Sequence, residues 1–167
     1  TSDPREALQL ADRLVLLRER RLVAQGDPLT LLQAPGSIEA ADLLSDPGIN
    51  LAAAHREGAS LRLDAGPELP VPTGGAEGVS GPCWVAIRPD HLRLASEATS
   101  HAPALTGEVL LAETTGSDTY LHVDVGAAEW VAHLDGLHTL APGETCTLTV
   151  DPGDVLLFPR APDDRHG

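Results

Sequence analysis

Lysine and methionine are absent from this 167-residue sequence, and aromatic residues nearly so, with two Trp, one Tyr and one Phe. Without lysine the phosphate-cradling pattern G-x-x-x-x-G-K-[ST] cannot occur, and no G-x-G-x-x-G follows a strand. The strained G-x-S-x-G elbow and the zinc-binding H-E-x-x-H helix are missing too. Cys83 and Cys146 stand far apart with no C-x-x-C pair, which argues against a structural zinc site or a redox motif and leaves each as a small buried hydrophobe. Cations are scarce: 11 arginines face 25 acidic residues, for a net charge of −14. Such a surface repels phosphate backbones and anionic lipid, so nucleic acid and membrane surfaces are excluded as first partners. No apolar run reaches the length of a membrane span, and no basic-then-apolar start marks export, so a soluble cytosolic protein is expected. The missing first methionine suits a trimmed start before Thr1 or a piece of something longer.

What is present divides in texture near Asn50. Pro4 at a first helical turn behind the N-cap Asp3 predicts a helix with an apolar face of Leu8, Ala11 and Leu10. "RLVLL" (13–17) and "RLVAQG" (21–26), separated by the charged "RER", predict a β-hairpin. Asp27-Pro28 opens a second helix, and Ser37 caps a third that stops before Pro47. These pieces make a small α/β segment over residues 1–48, too small to fold convincingly alone. Beyond Asn50, short β-prone runs at 59–63, 83–88, 104–116, 119–126, 129–134, 144–151 and 155–159 alternate with Gly, Pro, Asp and Asn, the spacing of an all-β barrel. Tyr120, His122 and Asp124 alternate with Leu121, Val123 and Val125 as on a half-buried strand. The Gly/Pro-rich stretch from Asp64 to Pro82 reads as a turn-rich hairpin, and the end of the chain from Arg160 reads as frayed.

Candidate chemistry is sparse. The histidines (55, 91, 101, 122, 133, 138 and 166) show no i, i+4 pair, and His133 and His138 come nearest to a ligand pair. Surface or packing roles are expected for all of them. Asp151 and Asp154 in "DPGD" could be read as paired catalytic carboxylates, but Asp, Pro and Gly are what a β-turn requires, and the turn is the expected reading. Asp163 and Asp164 read as solvated tail residues. Trp84 and Trp130 are expected as core anchors.

The order of the pieces carries more information than any one of them. Thr1-Ser2-Asp3-Pro4 with Glu6-Ala7 behind it, Ala11-Asp12-Arg13, then Ala24-Gln25-Gly26-Asp27-Pro28 and a helix ending before Pro35 precede Ala86-Ile87-Arg88-Pro89-Asp90-His91 and "GEVLLAETTGSDTYLHV" turning at Gly116. This succession resembles, over nearly the whole chain, the C-terminal part of the ATP-binding subunits of carbohydrate-type ABC importers. The resemblance implies an end piece of an ATPase domain at 1–48, a TOBE module over 49–162 and a tail at 163–167. The implied fold is mainly β with a small α/β N-terminal piece, the TOBE module being an OB-like barrel. It also implies that the phosphate-binding loop, the signature motif and the Walker B acid lie upstream of Thr1.

Ser2 stands where the family carries a histidine that contacts the γ-phosphate. A serine reaches a phosphate poorly and carries no proton near neutral pH, which puts hydrolysis in doubt if it is native; drift after loss of catalysis is the other reading. The family landmark Gly-x-Arg-Pro-Glu-His reappears with Asp90 for the glutamate. Arg88 either contacts a regulator or partner subunit, or pins the turn as an ion pair with Pro89 fixing the backbone angle. Arg88, Pro89, Asp90, His91, Gly116 and Phe158 are the candidate regulatory or dimer residues. No catalytic residue, cofactor or metal is implied for this stretch. The implied role is a non-catalytic regulatory and dimerisation region of a transporter ATP-binding subunit for sugar or polyol import, cytoplasmic and peripheral to the inner membrane. Its implied partners are membrane-spanning permease subunits, the ATPase core and a second copy. The contact with that copy is expected at Val155, Leu156, Leu157 and Phe158. A free-standing barrel that binds an oxyanion or oligosaccharide is the rival reading.

Overall fold

In the computed structural model, residues 1–64, 66–70, 78–95, 104–126 and 128–161 are described. His101, Asp163, Asp164, His166, the tail 163–167 and the middle of the Gly/Pro-rich stretch lie outside them. The chain divides into two compact units, Thr1–Ile49 and Asn50–Gly167.

The first unit begins with α1 (Pro4–Leu10), where the Asp3 carboxylate accepts from the Arg5 and Glu6 N–H groups. Strands β1 (Leu14–Arg18) and β2 (Arg21–Gly26) form an antiparallel hairpin. Its turn holds Glu19 and Arg20 at φ +49° and +63°, the left-handed geometry that matches strand twist in two-residue turns. Helix α2 (Pro28–Gln33) starts on Asp27, which accepts from Thr30 N–H, and α3 (Ile38–Leu43) starts on Ser37, which accepts from Ala40 N–H. Leu14, Leu16, Leu31, Ala40 and Leu44 close a small core, with Ala7, Leu8 and Ala11 packed against it. Leu10 does not join them: it is 78% exposed, contrary to the expected face of α1. The ion pair Arg18–Asp42 (2.6 Å) ties the hairpin to α3, and Asp42 also accepts from Ile49 N–H at 3.2 Å.

The second unit contains two five-stranded antiparallel sheets. One runs β12-β6-β3-β4-β5, built from β3 (Asn50–Glu57), β4 (Ser60–Leu63), β5 (Glu68–Pro70), β6 (Gly81–Ile87) and β12 (Leu156–Pro159). The other runs β10-β9-β8-β11-β7, built from β7 (Leu92–Leu94), β8 (Ala104–Thr114), β9 (Asp118–Asp124), β10 (Glu129–Asp135) and β11 (Thr145–Val150). They share one apolar core that includes Leu61, Val85, Ile87, Leu105, Val109, Leu121, Trp130 and Leu148, in a mainly β, OB-like architecture. Strand β3 was not expected: "NLAAAHRE" has three alanines and little β-propensity, yet it pairs with both β4 and β6. Alanine is what the crowded interior accepts, since Ala52 and Ala54 are buried between neighbours. Gly107 on β8 allows β9 to approach closely, because a Cβ there would lie 2.3 Å from the Asp124 carbonyl oxygen.

Two further expectations are corrected. Arg160 is not frayed: its guanidinium donates to Asp64 (2.9 Å) and lies over the Trp84 ring at 5.4 Å. The apolar surplus expected on the last strand is also absent, because Val155, Leu157 and Phe158 are buried within the unit.

Strand β10 ends its sheet, and the side chain of Asn50 pairs with its backbone. Asn50 Nδ2 donates to the Val131 carbonyl at 2.8 Å, and Val131 N–H donates to Asn50 Oδ1 at 2.7 Å. Asn50 is itself buried. Replacing Asn50 with Ala leaves both groups of Val131 without this partner in a part-buried setting, so Asn50→Ala should lower unfolding stability by about 1–3 kcal/mol. Urea denaturation of the full chain measures it; a loss within the range of an exposed surface substitution would show that the pairing carries little.

Candidate functional site

The candidate residues from the R-P-D-H stretch come together where β6 ends. Ile87 completes the strand, Arg88 leaves it in extended conformation, and Pro89–His91 form a single 3-10 turn that leads into β7. Proline at the first turn position costs no hydrogen bond and presets the backbone angle. A second 3-10 turn, Pro152–Asp154, follows β11, with Asp151 accepting from Gly153 N–H at 3.0 Å. "DPGD" is therefore a turn, as its composition indicated. That turn also supplies a partner: His91 Nδ1 lies 3.3 Å from Asp154 Oδ1.

Arg88 is 5% exposed although it carries a full charge. Burial pushes its pKa down, because a desolvated guanidinium loses hydration, while the carboxylates of Asp90 and Asp154 push the other way. The site is thus a buried guanidinium with the carboxylates of two turns in its electrostatic surroundings, one of which, Asp154, lies against His91.

The other candidates lie elsewhere. Gly116 sits at φ +84° in the turn joining β8 to β9, a conformation that a side chain resists. Phe158 on β12 pairs with Trp84 on β6 and is 9% exposed. Ser2 belongs to the first unit, where it lines a polar hollow with Asp3, Arg18, Asp42, Ser45 and Asp46. The cysteines are both free and buried, and burial pushes both thiols up. Trp130 is fully buried in the core and Trp84 nearly so.

Sequence reading missed a histidine bracket on the second unit. His122 on β9 meets Glu129 of β10 through Nδ1 (2.7 Å) and Glu113 of β8 through Nε2 (3.8 Å). Register alone brings these carboxylates together, so no linear spacing announces them. His133 stacks on Tyr120, with centroids 4.6 Å apart, and its Nε2 lies 3.4 Å from Asp118, while His138 Nε2 meets the Asp135 carbonyl oxygen at 2.8 Å. The pair nearest to a ligand set is therefore engaged separately. Among the described residues no group of three His, Cys, Asp or Glu is placed to hold a metal.

Comparison with known proteins places this geometry. Residues 85–158, from β6 through both 3-10 turns to β12, match the TOBE domain family. The chain is 35% identical, over 95% of its own length, to an uncharacterized ABC transporter ATP-binding protein, y4oS, of Sinorhizobium fredii, and covers 42% of that protein. It is 32% identical to the sulfoquinovosyl glycerol transport ATP-binding protein SmoE of Agrobacterium fabrum, with 95% of this chain and 44% of that protein aligned. It is 28% identical to the sn-glycerol-3-phosphate import ATP-binding protein UgpC of Escherichia coli, with the same coverage of 95% and 44%. The chain thus spans less than half the length of these curated relatives. Among solved structures, the cytoplasmic molybdate-binding protein ModG with molybdate bound is similar in fold, at a TM-score of 0.55 and 17% identity, covering 66% of this chain and 96% of that one. The buried Arg88 lies inside the stretch that matches the TOBE domain family, and nearly the whole chain is similar to part of these ABC transporter ATP-binding proteins.

Proposed function

We propose that this chain is the non-catalytic C-terminal regulatory and dimerisation region of the ATP-binding subunit of an ABC importer for sugars or polyols. In this reading residues 1–48 are the end of the ATPase domain and 49–162 the regulatory barrel. The observation that carries it is the uncovered side of the first unit. Leu10, Val15, Leu17 and Leu22 stand 58–78% exposed on α1 and the β1–β2 hairpin. A two-stranded hairpin with its outer leucines in water is marginal by itself, and an ATPase core laid against it would supply the missing contacts. The substrate class follows the names of SmoE and UgpC, which concern polyhydroxylated glycerol derivatives. The reading places the protein in the cytoplasm, peripheral to the inner membrane, against membrane-spanning permease subunits, with no cofactor of its own. Ser2, in the position of the family's histidine, receives no catalytic role.

Likeness to ModG supports the alternative, a free-standing binder of an oxyanion or oligosaccharide. At 17% identity that likeness concerns the fold alone.

Three outcomes test the proposal. Calorimetry with Mg-ATP should register no binding to the chain alone, and amides of 14–17 should exchange faster than those of 119–125. Joining the chain to the upstream part of SmoE should confer ATP binding and slow exchange at 14–17. Micromolar ATP binding to the chain alone, or unchanged exchange in the joined protein, would overturn the reading.

Arg88 is assigned to pinning the two turns. Arg88→Ala should then cost about 3 kcal/mol, as when one member of a buried charged set is removed. Asp154→Asn, at a partly exposed pair, should cost about 1 kcal/mol. Equal and negligible losses in urea denaturation would instead leave Arg88 as a contact for a regulator.

Homodimerisation belongs to the same reading but is carried by the joined protein, since Leu157 and Phe158 of the last strand are buried already. By sedimentation the chain alone should be monomeric at low and high salt and the joined protein dimeric. A dimer of the chain alone that tightens as salt rises would return the contact to the barrel.

A further inference from the structure

Strands β8, β9 and β10 turn one side to the core and the other outward. Inward lie Val109, Leu121, Val123, Trp130, Ala132 and Leu134, all buried. The outward side is not the polar surface that alternation would supply. A register shift between Val109 and Leu111 leaves Leu110 and Leu111 42% and 44% exposed. Leu111 stands opposite His122, which stands opposite Val131, so one row across the sheet is aliphatic at both ends. The next row places Tyr120 opposite His133, their rings stacked within 4° of parallel. The His133 side chain is only 7% exposed, so the apolar surface open on this side is that of Leu110 and Leu111, backed by the stacked rings.

Carboxylates surround this surface, two from each strand: Glu108 and Glu113, Asp118 and Asp124, Glu129 and Asp135. None of the three strands contains an arginine. Glu108, Asp124 and Glu129 lie directly opposite one another in register, and Asp118 faces Asp135 in the same way. Like charges directly opposite each other on neighbouring strands oppose folding. His122 and His133 reach Glu113, Glu129 and Asp118, and they leave the rest of the acidic rim facing solvent.

We propose that this outward face docks a cationic amphipathic segment of a partner protein, with aliphatic side chains on the Leu111–His122–Val131 row and arginine or lysine against the flanking carboxylates. Exposed leucines beside a stacked ring pair give apolar contact at the centre, and the rim supplies orientation and selects the sign of the partner. Nucleic acid and anionic lipid are repelled by the same rim. A second copy of the chain, with net charge −14 and an identical rim, is repelled as well. The inference needs only the folded second unit and stands apart from the transporter reading.

The test uses the full, isotope-labelled chain and a synthetic helix-forming peptide with leucines on one face flanked by arginines. A peptide with glutamate in place of arginine serves as control. Amide shifts on adding the arginine peptide should cluster on β8, β9 and β10, and the glutamate peptide should cause none. Glu108→Gln combined with Asp124→Asn should weaken binding about tenfold, and Leu111→Ser should weaken it severalfold. Glu19→Gln combined with Glu57→Gln makes the same change of charge elsewhere and should leave affinity within about twofold. Shifts scattered over the acidic surface, equal weakening by both double variants, self-association through this face or no binding would each overturn the proposal.

Discussion

The second unit depends on a side chain that behaves as backbone. Asn50 presents one donor and one acceptor to Val131, and both are taken. An edge strand carries a row of unpaired N–H and C=O groups that must find partners in water or in protein. Here the amide of a residue at the start of β3 occupies that position and joins an inner strand of one sheet to an end strand of the other. The geometry admits one register, because a shift by one residue would turn Trp130 from core to solvent. Everything on the outward side of β10, from Val131 to His133, inherits its placement from this pair of bonds.

A second buried polar element lies at the Arg88 junction. A guanidinium out of water is costly, and it persists where carboxylates offset the loss of hydration. Asp90 comes from its own turn and Asp154 from another, so the carboxylates that favour the charge are distant in sequence. Between these turns His91 lies 3.3 Å from Asp154.

The two units differ in how fully they satisfy themselves. In the second, the core is closed, and the strand that composition had marked as an excess of apolar surface is absorbed into it. In the first, the inner leucines of β1 are covered while the outer ones are not. That asymmetry underlies the transporter reading: one unit has a closed core, and the other leaves the outer leucines of its hairpin exposed.

Much of this was readable in linear form because it rests on local rules. Asp3, Asp27 and Ser37 announce three helix starts since an N-cap needs only a side-chain oxygen two or three residues ahead of a free N–H. Alternation along 119–125 reports which side is dry, since the strand period is two. The Asp-Pro-Gly-Asp turn and the order of family motifs were likewise legible in one dimension. Strand β3 was not, for its alanines are acceptable only because β4 and β6 crowd it from both sides. The burial of Arg88 and Phe158, the bracket around His122 and the clasp of Asn50 were equally out of reach. Each is made by residues from separate strands, and the pairing that unites them is decided by packing two sheets on one core, not by neighbours along the chain.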